Sequence, residues 1–283
     1  MSNVIYKIKN RLFRLSKEAS KIKRPAYDEL MQYKTYNYNS DSKFILSFGA
    51  GRCGQNWFAK IFNSHSNWIG TSERFSDLEA FYRFISYYNL PIEKESIYQL
   101  LELARNRDLS NYENSFIASP YLSFGVQDLY ERLNPNFLFF NLRDPVKSVE
   151  SFHRKGWYSK LSDYQVRKSP FIDISDNLKR NFSRIIPKED YLDEWIKLTK
   201  IGKIAWFWAT INKAILDDFK KLKKAKKYFF KLEDVDQNYN FYLKLSEIFD
   251  LNNKLKEKDF YSIINKTPNV GPKNKYKYNE WGT

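Results

Sequence analysis

The chain has 283 residues, room for one large α/β domain with a full core or for two small ones, and its 42% hydrophobic content excludes a disordered polymer. A formal charge of +15 points to an anionic partner (nucleotide, acidic polysaccharide, nucleic acid or membrane surface) without choosing among them. One cysteine excludes an intrachain disulfide framework, and two dispersed histidines, His65 and His153, are too few for a histidine-based metal site.

Residues 1–24 are strongly basic, with Ile5, Ile8, Leu12, Leu15, Ala19 and Ile22 forming one apolar helical stripe. Two readings stand: a helix packed on its own domain, or one that touches a membrane surface or a partner. No apolar run matches a membrane span and the first residues lack a signal peptide's uncharged core, so the expected location is cytoplasmic. Pro25 ends the segment and a Tyr/Asn/Ser-rich connector follows, which divides the chain into residues 1–40 and an α/β domain over 41–283.

Lys43 to Phe48 reads as a buried strand, and a turn containing Gly49, Gly51 and Gly54 follows it. Trp57, Phe58, Ile61 and Phe62 then recur at helical spacing. Asn67 to Phe75 predicts a short strand or loop leading into a helix through Phe84, and residues 92–105 carry another helical pattern. Ser115 to Ala118 is a short strand closed by Ser119-Pro120, and a helix spans about 123–133. Phe137 to Leu142 is a strand, after which Asp144 and Pro145 supply an N-cap and a first-turn proline. Lys160 to Asp190 reads as a polar, irregular excursion, a candidate lid or acceptor-binding segment. A long core helix carries Ile204, Phe207, Trp208, Ile211 and Ile215, with a strand at Lys227–Leu232 and a helix over Tyr239–Phe249 beyond it. Strands alternating with helices predict a three-layer α/β fold around a mostly parallel sheet.

Strand, glycine turn and helix together aim backbone N–H groups at a phosphate. Gly49 and Gly54 keep the G-x-x-x-x-G spacing of a Walker A loop, but Gln55-Asn56 stands where Lys-Ser/Thr is required. The turn therefore reads as P-loop-like and phosphate-binding, with Arg52 as its cation and without the groups that manage a metal-bound triphosphate. Arg143 falls at the carboxyl end of a strand, where open α/β sheets bind ligands, and Ser151 follows eight residues later. A guanidinium there can donate two hydrogen bonds to one phosphate. The plainer alternatives are an ordinary tight turn and an Arg143–Asp144 surface pair.

On these blocks the chain resembles the sulfotransferases that use 3′-phosphoadenosine 5′-phosphosulfate (PAPS). Arg52-Cys53-Gly54-Gln55-Asn56-Trp57 looks like the family's Lys/Arg-Ser-Gly-Thr-Thr-Trp loop, and Arg143-Asp144-Pro145 with Ser151 looks like its 3′-phosphate motif. Phe230 to Val235 is similar to its later strand ending in Tyr-Glu-Asp-Leu. The resemblance covers roughly residues 43–275. It implies that Arg52 and the backbone of Cys53, Gly54, Gln55, Asn56 and Trp57 hold the 5′-phosphosulfate, with Trp57 stacking on adenine or serving as a core aromatic. It further implies that Arg143 and Ser151 hold the 3′-phosphate, with Lys266 on a closing loop, and that the product is 3′-phosphoadenosine 5′-phosphate (PAP). Glu73 matches the catalytic base of the carbohydrate and protein-tyrosine branch, its other reading being a helix-start carboxylate. Arg52 would offset charge on the leaving phosphate.

The departures are Gln55-Asn56 in place of two hydroxyl residues and Ala118 where many relatives carry a lysine. The Lys-Thr-His motif of the cytosolic phenol and steroid enzymes is absent. The expected activity is metal-free sulfuryl transfer to a hydroxyl or amine of a carbohydrate or other polar acceptor, anionic ones included, with nucleic acid disfavoured. The alternatives are a non-catalytic nucleotide- or polyanion-binding protein and a nucleotide-dependent phosphotransferase. The run Lys220, Lys221, Lys223, Lys224, Lys226 and Lys227 is either a solvated helix end or a polyanion track.

Overall fold

The computed structural model describes residue 30 and residues 41–159 and 182–265. The basic stripe of residues 1–24, most of the 160–190 excursion and Lys266 lie outside the described residues.

Five strands form one parallel sheet: β1 (Phe44–Phe48), β2 (Trp68–Ser72), β3 (Asn114–Ala118), β4 (Phe137–Leu142) and β5 (Lys227–Lys231). Their spatial order is β2-β3-β1-β4-β5. In register, Leu46 lies opposite Ile117 of β3 and Leu138 of β4. β1 is buried at all five positions because it is the middle strand of a sheet covered on both faces, which is why its sequence runs apolar instead of alternating.

Strand alternation sorts the side chains into two cores. Phe44, Leu46, Phe48, Ile117, Leu138 and Phe140 share one, and Ile45, Phe116, Ala118 and Phe139 share the other. The first is roofed by α2 (Ser76–Tyr87), α3 (Glu95–Asn111), α4 (Val126–Leu133), α5 (Pro145–Arg154) and the long α7 (Lys200–Lys221), which follows α6 (Glu189–Lys197). The second is closed by α1 (Gln55–Phe62), α9 (Tyr239–Ile248) and α10 (Glu257–Asn265), with the short α8 (Leu232–Val235) turning the chain out of β5. The predicted three-layer α/β fold is thus observed, and its sheet is wholly parallel among the described strands.

Local signals explain several boundaries. Asp144 accepts a hydrogen bond from the Lys147 amide at 3.0 Å and Pro145 occupies the first turn of α5. The predicted helix over 123–133 begins later, at Val126, because Gly125 adopts φ +89 and separates it from a 3₁₀ turn at Pro120–Ser123. The end of the expected irregular excursion is ordered. Phe182, Ile185 and Ile186 are buried there, Tyr158 donates its hydroxyl to the Ile185 carbonyl at 2.6 Å, and α6 begins at Glu189. That apolar triplet is too short to carry a readable period.

The order β2-β3-β1-β4-β5 also creates a topological switch. The chain leaves β1 through α1 toward β2 at one edge, and leaves β4 through α5 toward β5 at the other. Loops diverging from adjacent parallel strands leave a crevice at their carboxyl ends. The glycine turn and Arg143 both lie there.

Candidate functional site

The turn between β1 and α1 is built from unusual backbone. Gly51 and Gly54 take φ +92 and +91, and Arg52 itself takes φ +59. A non-glycine residue in the left-handed region costs on the order of 1 kcal/mol, a strain found disproportionately at functional sites. A Cβ on Gly54 would come within 2.7 Å of Leu232 Cδ1, so that side chain would have to shift to admit one. The Gly54 carbonyl accepts from the Trp57 and Phe58 amides at 2.8 and 3.1 Å, which starts α1.

The structure joins the two sequence-predicted phosphate motifs. Arg52 Nε donates to Ser151 Oγ at 2.8 Å, across 99 residues of chain. Arg143 Nη1 donates to the Arg52 carbonyl at 3.1 Å, so the strand-end guanidinium braces the strained residue. Burial, helped by the neighbouring Arg143 and Arg154, holds the Arg52 guanidinium below its ordinary pKa, and Glu73 and Cys53 oppose that shift. Arg52 precedes α1 and Arg143 precedes α5, each close to a helix N-terminus whose dipole favours negative charge, and Ser151 reaches Arg52 from within α5. No cluster of three metal-ligating side chains occurs among the described residues.

Glu73 lies one residue beyond β2, with φ +52 and its amide donating to the Ala118 carbonyl at 2.9 Å. The next residue fixes this corner. Arg74 grips the buried Asp108 through Nη2 at 2.9 and 2.7 Å, and Ser115 Oγ donates to the same carboxylate at 3.0 Å. The Glu73 charge partly opposes the burial that lowers the pKa of Arg52 and of Arg83.

The remaining predicted residues divide. Asn56 is exposed at the start of α1, whereas Gln55 is buried and spends its amide on the Ser47 carbonyl at 3.1 Å. Cys53 folds its thiol into the turn. A Cβ on Gly49 would meet the sulfur at 2.4 Å, and burial pushes the thiol up to about 11, against amides of Gly51, Cys53 and Gln55 that favour the thiolate. Trp57 is only 8% exposed and packs against Phe58, Phe241 and Phe260. Of its two sequence readings, the core aromatic is the one this placement matches. His65 is buried, with Nδ1 2.5 Å from the Asn252 carbonyl and its ring 6.0 Å from that of Tyr242, a packing histidine away from the crevice. His153 ends α5 with its pKa lowered by burial and by Lys200.

Ala118 is fully buried in the core on the α1 side, so no cation reaches the crevice from that position. Sequence reasoning missed a cation close by, Arg83 on α2. It is 1% exposed, donates to the carbonyls of Pro120 and Ser183, and lies over the rings of Tyr121 and Phe207. Burial lowers its pKa to about 10, against the pull of Tyr121, Tyr158 and Glu73. The available signal was a second charged residue, one turn after Glu79, on the buried side of α2. The run from Lys220 to Lys226 precedes β5, at the amino edge of the parallel sheet, away from the crevice. Lys227 closes the end of α7 by donating to the Phe219 and Leu222 carbonyls at 2.8 Å each.

No family model matches the chain, and the comparison with curated proteins finds no match. Among solved structures, the chain is similar to one described as the sulfotransferase domain from the curacin biosynthetic pathway, at 15% identity and a TM-score of 0.43, over 78% of this chain and 77% of that one.

Proposed function

We propose that this protein is a PAPS-dependent sulfotransferase acting on a hydroxyl, or an amine, of a carbohydrate or other polar acceptor. The observation that carries the reading is the three-way junction of Arg143, Arg52 and Ser151 at the carboxyl ends of β1 and β4. Two phosphate-type motifs, far apart in sequence, meet in one cationic crevice, as a nucleotide with phosphates at both ends requires. The donors fit such an anion: two guanidiniums, a hydroxyl and two helix N-termini. PAPS would supply the activated sulfuryl group. Arg143 and Ser151 would hold the 3′-phosphate, and Arg52 with backbone amides of the turn the 5′ end.

Glu73 takes the acceptor's proton as the acceptor oxygen bonds to sulfur and the sulfur–phosphate oxygen bond breaks. Arg52 offsets the charge that develops on the departing phosphate.

The test is calorimetric binding of PAP in EDTA, with ADP and ATP as comparisons. Metal-free preference for PAP is expected, and Arg143→Ala should weaken PAP more than ADP. Equal or absent binding of the three nucleotides overturns the reading. A second reading, a non-catalytic nucleotide- or polyanion-binding protein, draws on the buried Ala118. Tight PAP binding without sulfuryl transfer to any of a broad acceptor panel would favour it.

A further inference from the structure

Glu233 follows β5 in the short α8, and the proposed mechanism gives it no role. Its carboxylate nonetheless sits among the cations of the crevice. Oε2 accepts a hydrogen bond from the Asp144 amide at 3.1 Å, and Oε1 lies 3.8 Å from Arg143 Nε and 4.0 Å from Lys147 Nζ. All three partners belong to the junction of β4 and α5, where the dipole of α5 favours negative charge. A carboxylate held by a guanidinium, an ammonium and a backbone amide at a helix start is placed as a bound anion would be. Arg143 Nε is buried without a hydrogen bond and Nη1 donates to the Arg52 carbonyl, so the pairing with Glu233 is electrostatic.

We propose that Glu233 is a built-in counter-anion of the 3′-phosphate subsite, weakening the hold of Arg143 and Lys147 on that phosphate and so speeding nucleotide release. The proposal rests on the cofactor reading above. Two like charges several ångströms apart at a partly buried site repel by an amount comparable to a tenfold change in affinity. A transferase must release its nucleotide product on every cycle, and a subsite with two cations and a helix dipole holds a phosphate dianion tightly. A fixed carboxylate moderates that hold while keeping the cations in place between turnovers.

The experiment compares wild type with Glu233→Gln, which keeps an acceptor for the Asp144 amide, and with Glu233→Ala, each titrated with PAP and with ADP in EDTA. Both variants should bind PAP on the order of tenfold tighter, with slower dissociation in stopped flow, and ADP within about twofold of wild type. A gain of affinity cannot come from misfolding. Unchanged or weaker PAP binding in the folded variants overturns the proposal, as does an equal gain for ADP. If wild type shows no preference for PAP, the cofactor reading falls and inorganic pyrophosphate replaces PAP as the probe. Failure of either variant to bind pyrophosphate more tightly than wild type then overturns the role of Glu233 separately.

Discussion

Gly70, in the middle of β2, has φ in the ordinary range, so any cost of replacing it comes from space alone. A Cβ built there lies 2.0 Å from the Ala59 carbonyl oxygen and 2.8 Å from its carbon, both backbone atoms of α1. Real Cβ atoms essentially never approach closer than 3.0 Å, so β2 and α1 would have to part by about 1 Å. Neither can yield cheaply. The side of α1 facing the sheet carries Trp57, Phe58, Ile61 and Phe62 in the core, and β2 is held along its length by β3. Overpacking a core usually costs about 1–3 kcal/mol, and a backbone-to-backbone clash belongs at the upper end. Gly70→Ala should therefore lose about 3 kcal/mol in urea unfolding and lower the melting temperature by roughly 5–10 °C. Gly156→Ala is a contrasting case: its Cβ would meet one side-chain oxygen at 3.6 Å, so only its φ of +72 opposes the change. A Gly70→Ala protein melting within about 2 °C of wild type would refute the argument that α1 and β2 are in backbone contact.

Glu73→Gln should abolish sulfuryl transfer while PAP affinity stays within about threefold, and normal turnover would remove Glu73 from the role of base. Arg74→Ala should destabilise by about 3 kcal/mol at neutral pH, because it leaves the carboxylate of Asp108, 2% exposed, without its cation. Burial already raises the Asp108 pKa against the pull of Arg74. The cost of Arg74→Ala should then shrink as pH falls, since a protonated Asp108 needs no cation, and a pH-independent cost would contradict this. Burial lowers the pKa of His65, so on acidification the unfolded chain binds a proton before the folded one does. Its contribution to stability is complete above the usual histidine value and is lost as pH falls below it. His65→Gln should flatten part of the loss in urea midpoint between pH 7 and pH 5, and an unchanged slope would exclude His65 as a source of it.

The legible parts of this protein were those whose cause is local. An apolar run such as Phe137–Leu142 is a strand buried on both faces wherever it falls, and Asp144-Pro145 starts a helix by its own hydrogen bond and fixed φ. The glycine turn was readable because a φ near +90 at Gly51 and Gly54 is a backbone conformation that strongly favours glycine. Residues whose roles depend on which strands are neighbours were not legible. Arg83 is one charged residue among several on α2 until the Pro120 and Ser183 carbonyls are brought to it. Glu233 looks like an ordinary helix-start carboxylate until β5 is laid beside β4, which puts it against Arg143 and Lys147.

The sequence by itself determined the alternation of strand and helix, the strained glycine turn and the two cationic motifs, because backbone dihedrals, capping and hydrophobic period act within a few residues. Only the tertiary structure decided that Arg52 and Ser151 touch, that the Trp57 ring belongs to the core and that a carboxylate shares the crevice with its cations. Those contacts depend on strand order and register, which are set by burying two opposite apolar faces at once and leave no trace in the local spacing of the residues they join.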